Sequence, residues 1–174
     1  FSLQATVTLP SGNGSYGIAL DGDNLVVGDF TTTVRWYETT NWTEISSVVL
    51  TYPAVDVVVD IENRILYATH YTSANMLTKY DLNTAVETSV SVDPNQARGV
   101  DVDQATGLVY VTVGEGWATN RSEVRVYTSA LTLSDSQLIE DDATGLVVPV
   151  EDISYGQPVF VDIKPGSCPN PLNL

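Results

Sequence analysis

The sequence predicts an all-β protein in which a four-stranded unit is repeated along the chain. The 174 residues include 25 valines and 20 threonines, whose branched β-carbons favour strands over helices. No stretch shows the i, i+3, i+4, i+7 apolar spacing of an amphipathic helix. Apolar residues instead alternate with polar ones, or form short runs bounded by glycine, asparagine, aspartate and proline, as strands do.

The repeat begins with a short apolar segment that ends in aspartate. It occurs at residues 16–21, 55–60 and 98–103, so the final aspartates are 39 and then 43 residues apart. A turn and a second apolar strand follow at 24–28, 64–69 and 107–112. A third strand ends in tyrosine at 34–37, 77–80 and 124–127, and a fourth is predicted at 44–51, 86–92 and 136–140.

Four strands in about 40 to 45 residues is the period of a β-propeller blade. One such sheet cannot bury both of its faces, but stacked blades bury each other's faces. The predicted fold is therefore a β-propeller-type array of four-stranded antiparallel blades. Residues 1–160 form the blades, with repeats at about 16–53, 54–96 and 97–142 and a partial fourth at 143–160. Residues 161–174, rich in proline and glycine, form a linker or tail.

The number of blades leaves ring closure open. Residues 3–9 precede the first inner strand and are predicted to be an outer strand that completes the last blade. About three full blades and a partial fourth could form a compact ring, part of a larger ring, or one subunit of an assembly. We favour a fragment of a larger ring or an assembling subunit over a closed monomer, since an open arc exposes a blade face and strand edges.

The segment 99–112, with the sequence GVDVDQATGLVYVT, resembles the blades of YVTN and NHL-type propellers, which include archaeal and bacterial surface-layer proteins. Segments 17–29 and 57–69 resemble diverged copies, and the resemblance extends over residues 16–142. It implies a propeller fold and a place at the cell surface. It implies no single activity, because propellers serve binding, structural and catalytic roles alike.

Charge and composition exclude several classes of function. The net charge of -15 argues against binding to nucleic acid or to anionic lipid. No apolar stretch approaches the roughly 18 residues of a membrane-spanning helix. One cysteine, Cys168, and one histidine, His70, exclude cysteine-rich and all-histidine metal sites within one chain. No cofactor and no metal site is predicted, and Cys168 either stays a free thiol or pairs with another chain.

The aspartates that end the inner strands have two interpretations. The carboxylates of Asp21, Asp60 and Asp103 suit a following turn, where they accept hydrogen bonds from backbone N–H groups. Metal binding is the less favoured alternative. The segment 21–24 has some likeness to a calcium loop but lacks the terminal glutamate of that loop. A calcium-stabilised scaffold therefore remains a third, weaker hypothesis.

The loops after the second strands differ in sequence while the strands beside them repeat, and binding residues commonly lie in such loops. Their aromatic side chains could stack on a sugar or anchor a protein partner, or could instead pack between blades. No catalytic residue is predicted, since there is one histidine and no Gly-x-Ser-x-Gly segment. The candidate ligand-binding residues are Asp29, His70, Tyr71, Glu115 and Trp117.

Three glycosylation sequons, at Asn13, Asn41 and Asn120, lie in predicted turns. The chain begins with Phe1, from which we expect a processed or excised chain whose signal peptide has been removed. We expect a non-enzymatic extracellular or cell-surface protein that associates with itself or with other envelope proteins. The alternative is an extracellular propeller that binds or cleaves carbohydrate through the variable loops.

Overall fold

The fold was obtained as a computed structural model, which describes residue 6 and residues 17–70, 75–92, 96–114 and 122–139. Regular structure in these segments consists of twelve strands. No helix occurs in them, and so none that could cross a membrane. The strands are β1 Gly17–Asp21, β2 Asn24–Gly28, β3 Thr33–Glu38, β4 Glu44–Val49, β5 Asp56–Asp60, β6 Ile65–His70, β7 Met76–Asp81, β8 Val86–Ser91, β9 Gln96–Val102, β10 Val109–Gly114, β11 Ser122–Tyr127 and β12 Leu133–Ile139.

The twelve strands form three antiparallel sheets of four, and within each sheet neighbours in sequence are neighbours in space. We call them blade 1 (β1–β4), blade 2 (β5–β8) and blade 3 (β9–β12). This confirms the predicted all-β fold and the four-stranded repeat. Of the predicted outer strand at 3–9 the structure describes Thr6 alone, which is exposed and is not assigned to a strand. The partial blade at 143–160 and the tail at 161–174 with Cys168 lie outside the described residues.

The blades stack through their apolar faces. The innermost strands β1, β5 and β9 follow one another, with β1 against β5 and β5 against β9. One apolar cluster fills the space between blades 1 and 2, and it includes Val26, Trp36, Val57, Val59 and Leu66. A second cluster lies between blades 2 and 3, and it includes Tyr67, Leu77, Val100, Val111 and Val113.

The two inner strands β5 and β1 differ in how they are covered. In β5, Val57 and Val59 face blade 1 and are buried, while Val58 packs against the cluster shared with blade 3. In β1, Ala19 packs toward blade 2, but Ile18 is 64% exposed and Leu20 is 62% exposed. Blade 2 therefore has neighbours on both sides, and β1 presents apolar side chains to solvent on the side away from blade 2.

The turn aspartates act as predicted in blades 2 and 3. Asp60 accepts hydrogen bonds from the amide and side-chain nitrogens of Asn63, and Asp103 accepts from the Ala105 amide and the Thr106 hydroxyl. Asp21 does something else. Its carboxylate accepts from Trp36 Nε1 at 2.9 Å and pairs with the guanidinium of Arg64, so it joins blade 1 to blade 2.

Candidate functional site

Asp29, one of the predicted ligand-binding residues, is completely buried. It follows β2, and one carboxylate oxygen accepts hydrogen bonds from the amide and hydroxyl of Thr31. The other oxygen lies 3.6 Å from Nε of Arg35 on β3. The carboxylate thus holds the β2–β3 loop in its bent path and neutralises the charge of a neighbouring arginine.

His70, the last residue of β6, is also completely buried, and both ring nitrogens have partners. Nδ1 lies 2.8 Å from the carbonyl oxygen of Pro53, and Nε2 lies 2.9 Å from the hydroxyl of Thr78. A carbonyl can only accept, so Nδ1 carries the proton and Nε2 accepts from Thr78. Burial lowers the pKa of His70, which favours this neutral form. The imidazole therefore joins β6 to β7 and to the segment that enters blade 2.

The structure describes only one of the other candidate residues that the sequence predicts. Tyr71, Glu115 and Trp117, and the sequon residues Asn13 and Asn120, lie outside the described residues. Asn41 is exposed in the turn between β3 and β4, where its side-chain oxygen accepts hydrogen bonds from the amide and hydroxyl of Thr43. Within the described segments, no group of three or more histidine, cysteine, aspartate or glutamate side chains could hold a metal ion.

The face of blade 1 that points away from blade 2 carries large apolar side chains exposed to solvent. Ile18 and Leu20 protrude from β1, the innermost strand of blade 1. The corresponding strand of blade 2, β5, is instead packed on both faces. We call these two residues the open face of blade 1. The sequence analysis did not single them out, although alternation in β1 indicated that residues 18 and 20 share one face. The face of β1 that lacks a neighbour is decided by how the blades stack, which depends on contacts between residues far apart in the sequence.

The outward face of blade 3 is apolar as well. Tyr110 and Val124 are buried there, with Leu108 and Val126 packed against them. They project from β10 and β11 on the side opposite Val111, which faces blade 2. Tyr110 and Val124 are 7% and 1% exposed, so this apolar face is already covered within the chain, unlike the open face of blade 1.

Contacts between blades combine apolar packing with polar bridges. At the boundary of blades 2 and 3, Asp56 accepts from the Val100 amide at 2.9 Å. Gln104 donates to the Val59 carbonyl at 2.8 Å and accepts from the Ile61 amide at 3.0 Å. A blade boundary therefore fixes the angle between two sheets as well as burying their apolar faces.

No known protein family matches this sequence, and neither does any curated protein. Solved structures do match. The β-propeller domain of Cps50 (Swd1) from Myceliophteria thermophila has a TM-score of 0.58 at 12% identity, over 78% of this chain and 46% of that one. The WD40 repeats of RRP9 have a TM-score of 0.59 at 6% identity, over 74% of this chain and 39% of that one.

A computationally designed protein, Ika4, has a TM-score of 0.57 at 13% identity, over 85% of this chain and 88% of that one. The chain thus spans less than half of the Cps50 and RRP9 structures but most of Ika4. At identities this low, structural likeness establishes the fold alone. The described chain has the β-propeller fold, in the form of three consecutive blades.

Proposed function

We propose that this chain is a non-enzymatic protein-interaction module of the extracellular surface, related to the YVTN and NHL-type surface-layer propellers. In this proposal, copies associate through the open face of blade 1. The observation that supports it most directly is the exposure of Ile18 and Leu20 on an innermost strand.

A second copy is the occupant that suits this face best. Inside the chain, the inner strand of blade 2 is covered on both faces by apolar residues of the adjacent blades, and the open face of a second copy can cover Ile18 and Leu20 in the same way. Contact between the open faces of two copies is isologous, and such a contact gives a closed dimer with two-fold symmetry.

The charge of the chain limits how tight this association can be. A net charge of -15 makes copies repel one another at low ionic strength. Removing two large aliphatic side chains from water contributes about 1.5 to 3 kcal/mol each. The association should therefore be specific but moderate in affinity.

The extracellular location is supported by the exposed Asn41 sequon and by the resemblance of segment 99–112 to surface-layer blades. The Asn41 side chain caps its own turn through Thr43, which leaves the turn on the surface where a glycan can be attached. The coarser part of the proposal, a propeller used for protein interaction, does not depend on this location.

The test is light scattering and sedimentation velocity on the wild type and on Leu20→Asp. We expect the wild type to form a concentration-dependent oligomer and Leu20→Asp to be monomeric, with the same circular dichroism. Leu138→Asp on β12 is the matched control, because Leu138 is also 62% exposed but lies on the outermost strand of blade 3. A wild type that stays monomeric at high concentration, or a Leu138→Asp variant as dissociated as Leu20→Asp, would contradict the proposal.

A further inference from the structure

A cavity of about 410 Å³ lies between blades 2 and 3. It is bordered by the β5–β6 turn, by the β9–β10 turn and by Ser129 beyond β11. It lies at the opposite end of blade 2 from the variable loops, since β6 begins beside the cavity at Ile65 and ends at His70. The cavity is therefore separate from the ligand-binding loops predicted from the sequence and from the open face of blade 1.

Tyr67 is the unusual member of the cavity wall. Its side chain is completely buried, and among the described residues its hydroxyl has no hydrogen-bond partner. Burial, with a smaller contribution from Asp60, raises the pKa of Tyr67 to about 12, so the hydroxyl keeps its proton and can both donate and accept. A buried hydroxyl without a partner is energetically costly, and a ligand that supplied the missing hydrogen bond would remove that cost.

The polar groups around Tyr67 are held in fixed positions by the fold. Each carboxylate oxygen of Asp60 accepts one hydrogen bond from Asn63, which leaves accepting capacity on both. Lys79 Nζ donates to the Ser129 carbonyl at 2.8 Å, and an ammonium group has two further protons to donate. The wall thus offers donors and acceptors side by side.

The balance of charge selects among ligands. The wall carries two carboxylates, Asp60 and Glu62, and one ammonium, Lys79. The excess of negative charge disfavours an anionic ligand, and the ammonium of Lys79 disfavours a compact cation. Hydroxyl groups suit such a wall, because each hydroxyl can donate to a carboxylate and accept from an ammonium or a phenol. The volume lies at the lower end of the roughly 300 to 1,000 Å³ typical of small-ligand pockets, which suits one or two sugar units.

We propose that this cavity binds a neutral polyhydroxylated ligand, such as a monosaccharide unit, and that the Tyr67 hydroxyl makes a hydrogen bond to it. This site adds a small-ligand specificity to the propeller and does not require that copies associate. Because Tyr67 and Lys79 belong to blade 2 and Ser129 to blade 3, a bound ligand would also bridge the two blades.

The test compares Tyr67→Phe with a matched control, Tyr37→Phe. Tyr37 in blade 1 is 4% exposed and its hydroxyl also lacks a hydrogen-bond partner among the described residues, but it lies outside the cavity. Both substitutions remove only an unpaired hydroxyl, so both variants should fold and keep or raise the melting temperature of the free protein.

Binding is followed by amide chemical-shift titration with glucose, galactose, mannose and N-acetylglucosamine. We expect at least one sugar to shift the amides of residues 60–63 and 104–107 saturably in the wild type and in Tyr37→Phe. Tyr67→Phe should bind at least ten-fold more weakly. Absence of saturable binding by all four sugars, or equal binding by Tyr67→Phe, would overturn the proposal. So would tighter binding of the charged probes arginine or glucuronate at the same amides.

Discussion

Asp56 shows how one side chain can join two blades. It begins β5, and its two carboxylate oxygens accept hydrogen bonds from the amides of Val57 in its own blade and Val100 in blade 3. Burial raises the pKa of Asp56 to about 6; the two amide hydrogen bonds oppose the rise, and the charge of Asp101 adds to it. The folded state thus retains a proton on Asp56 at a pH at which the unfolded chain has released it.

This makes the contribution of Asp56 to stability fall as pH rises. Between about pH 4 and pH 6 the folded state binds more protons at this residue than the unfolded state, so unfolding becomes easier with increasing pH. At about 1.4 kcal/mol per pKa unit, the full effect is about 3 kcal/mol. We expect Asp56→Asn to lose this dependence. The measurement is urea unfolding of both proteins at pH 4 and pH 7.

The difference in the free energy of unfolding between the wild type and Asp56→Asn isolates the contribution of Asp56, because the other carboxylates contribute equally to both proteins. The wild type should lose about 2 kcal/mol relative to Asp56→Asn on going from pH 4 to pH 7, less than the full effect because the unfolded carboxyl is already more than half ionised at pH 4. A pH-independent difference would show that Asp56 titrates in the folded state as it does in the unfolded chain.

His70 gives a second prediction for a single residue. Its pKa is lowered, mainly by burial, so protonation below about pH 6.5 takes place more readily in the unfolded chain, and His70 favours unfolding as pH falls. Imidazole ¹⁵N shifts should report the proton of the neutral ring on Nδ1 and a titration midpoint below about 6.5. A ring that titrates with a midpoint near 6.5, or that carries its proton on Nε2, would contradict the hydrogen bonds to Pro53 and Thr78.

The packing of one blade on the next depends on a close approach at Gly17. This residue begins β1, and a β-carbon there would collide with the Asp56 carboxylate and lie within 2.9 Å of the Val57 amide nitrogen. These atoms belong largely to the β5 backbone and cannot move aside easily. Gly17 therefore allows β1 and β5 to approach each other closely at the residues where the two strands begin.

Gly17→Ala should cost about 1 to 3 kcal/mol, the usual range for overpacking a buried site. Gly28→Ala is the matched control, because Gly28 pairs with Gly17 in the same sheet. Its β-carbon would meet side-chain atoms of Val57 and Ala54 at 3.2 and 3.6 Å, and the Gly17 carbonyl oxygen at 3.7 Å, an ordinary van der Waals distance. Denaturant unfolding of the two variants measures the difference. If Gly28→Ala is as destabilising as Gly17→Ala, the close approach of β1 to β5 does not explain the cost.

Most of the strand pattern could be predicted from the sequence because alternation and turn residues are local. Boundaries were less accurate where a strand is mostly exposed: the fourth strand of blade 3 was predicted at 136–140 and runs Leu133–Ile139. Asp21 was expected to cap a turn like Asp60, but Arg64 from the next blade and Trp36 engage its carboxylate. Contacts between blades decide such details, and spacing along the chain does not reveal them.

The candidate sites were harder to predict for the same reason. Asp29 follows β2 as predicted, whereas His70 was predicted to begin the loop after the second strand and is instead the last residue of β6. The burial of both arises from contacts with Thr31 and Pro53. The unpaired hydroxyl of Tyr67 results from the packing of blade 2 against blade 3. A tyrosine with a satisfied hydroxyl would have the same sequence pattern.

At the scale of the whole molecule, the proposed association of copies through apolar contact would be opposed by the negative charge that each copy carries. Ile18 and Leu20 favour association, whereas the net charge of -15 opposes it over distances set by the ionic strength. The screening length falls from about 30 Å at 0.01 M salt to about 10 Å at 0.1 M. Self-association should therefore become tighter as salt is added.

We expect sedimentation velocity of the wild type to show a shift from monomer to oligomer between about 0.01 M and 0.1 M sodium chloride, the range over which screening changes most. Leu20→Asp should stay monomeric throughout, because screening lowers repulsion but cannot restore the lost apolar contact. An oligomer that dissociates on addition of salt would instead indicate an interface held by opposite charges. That result would be incompatible with docking through the open face of blade 1.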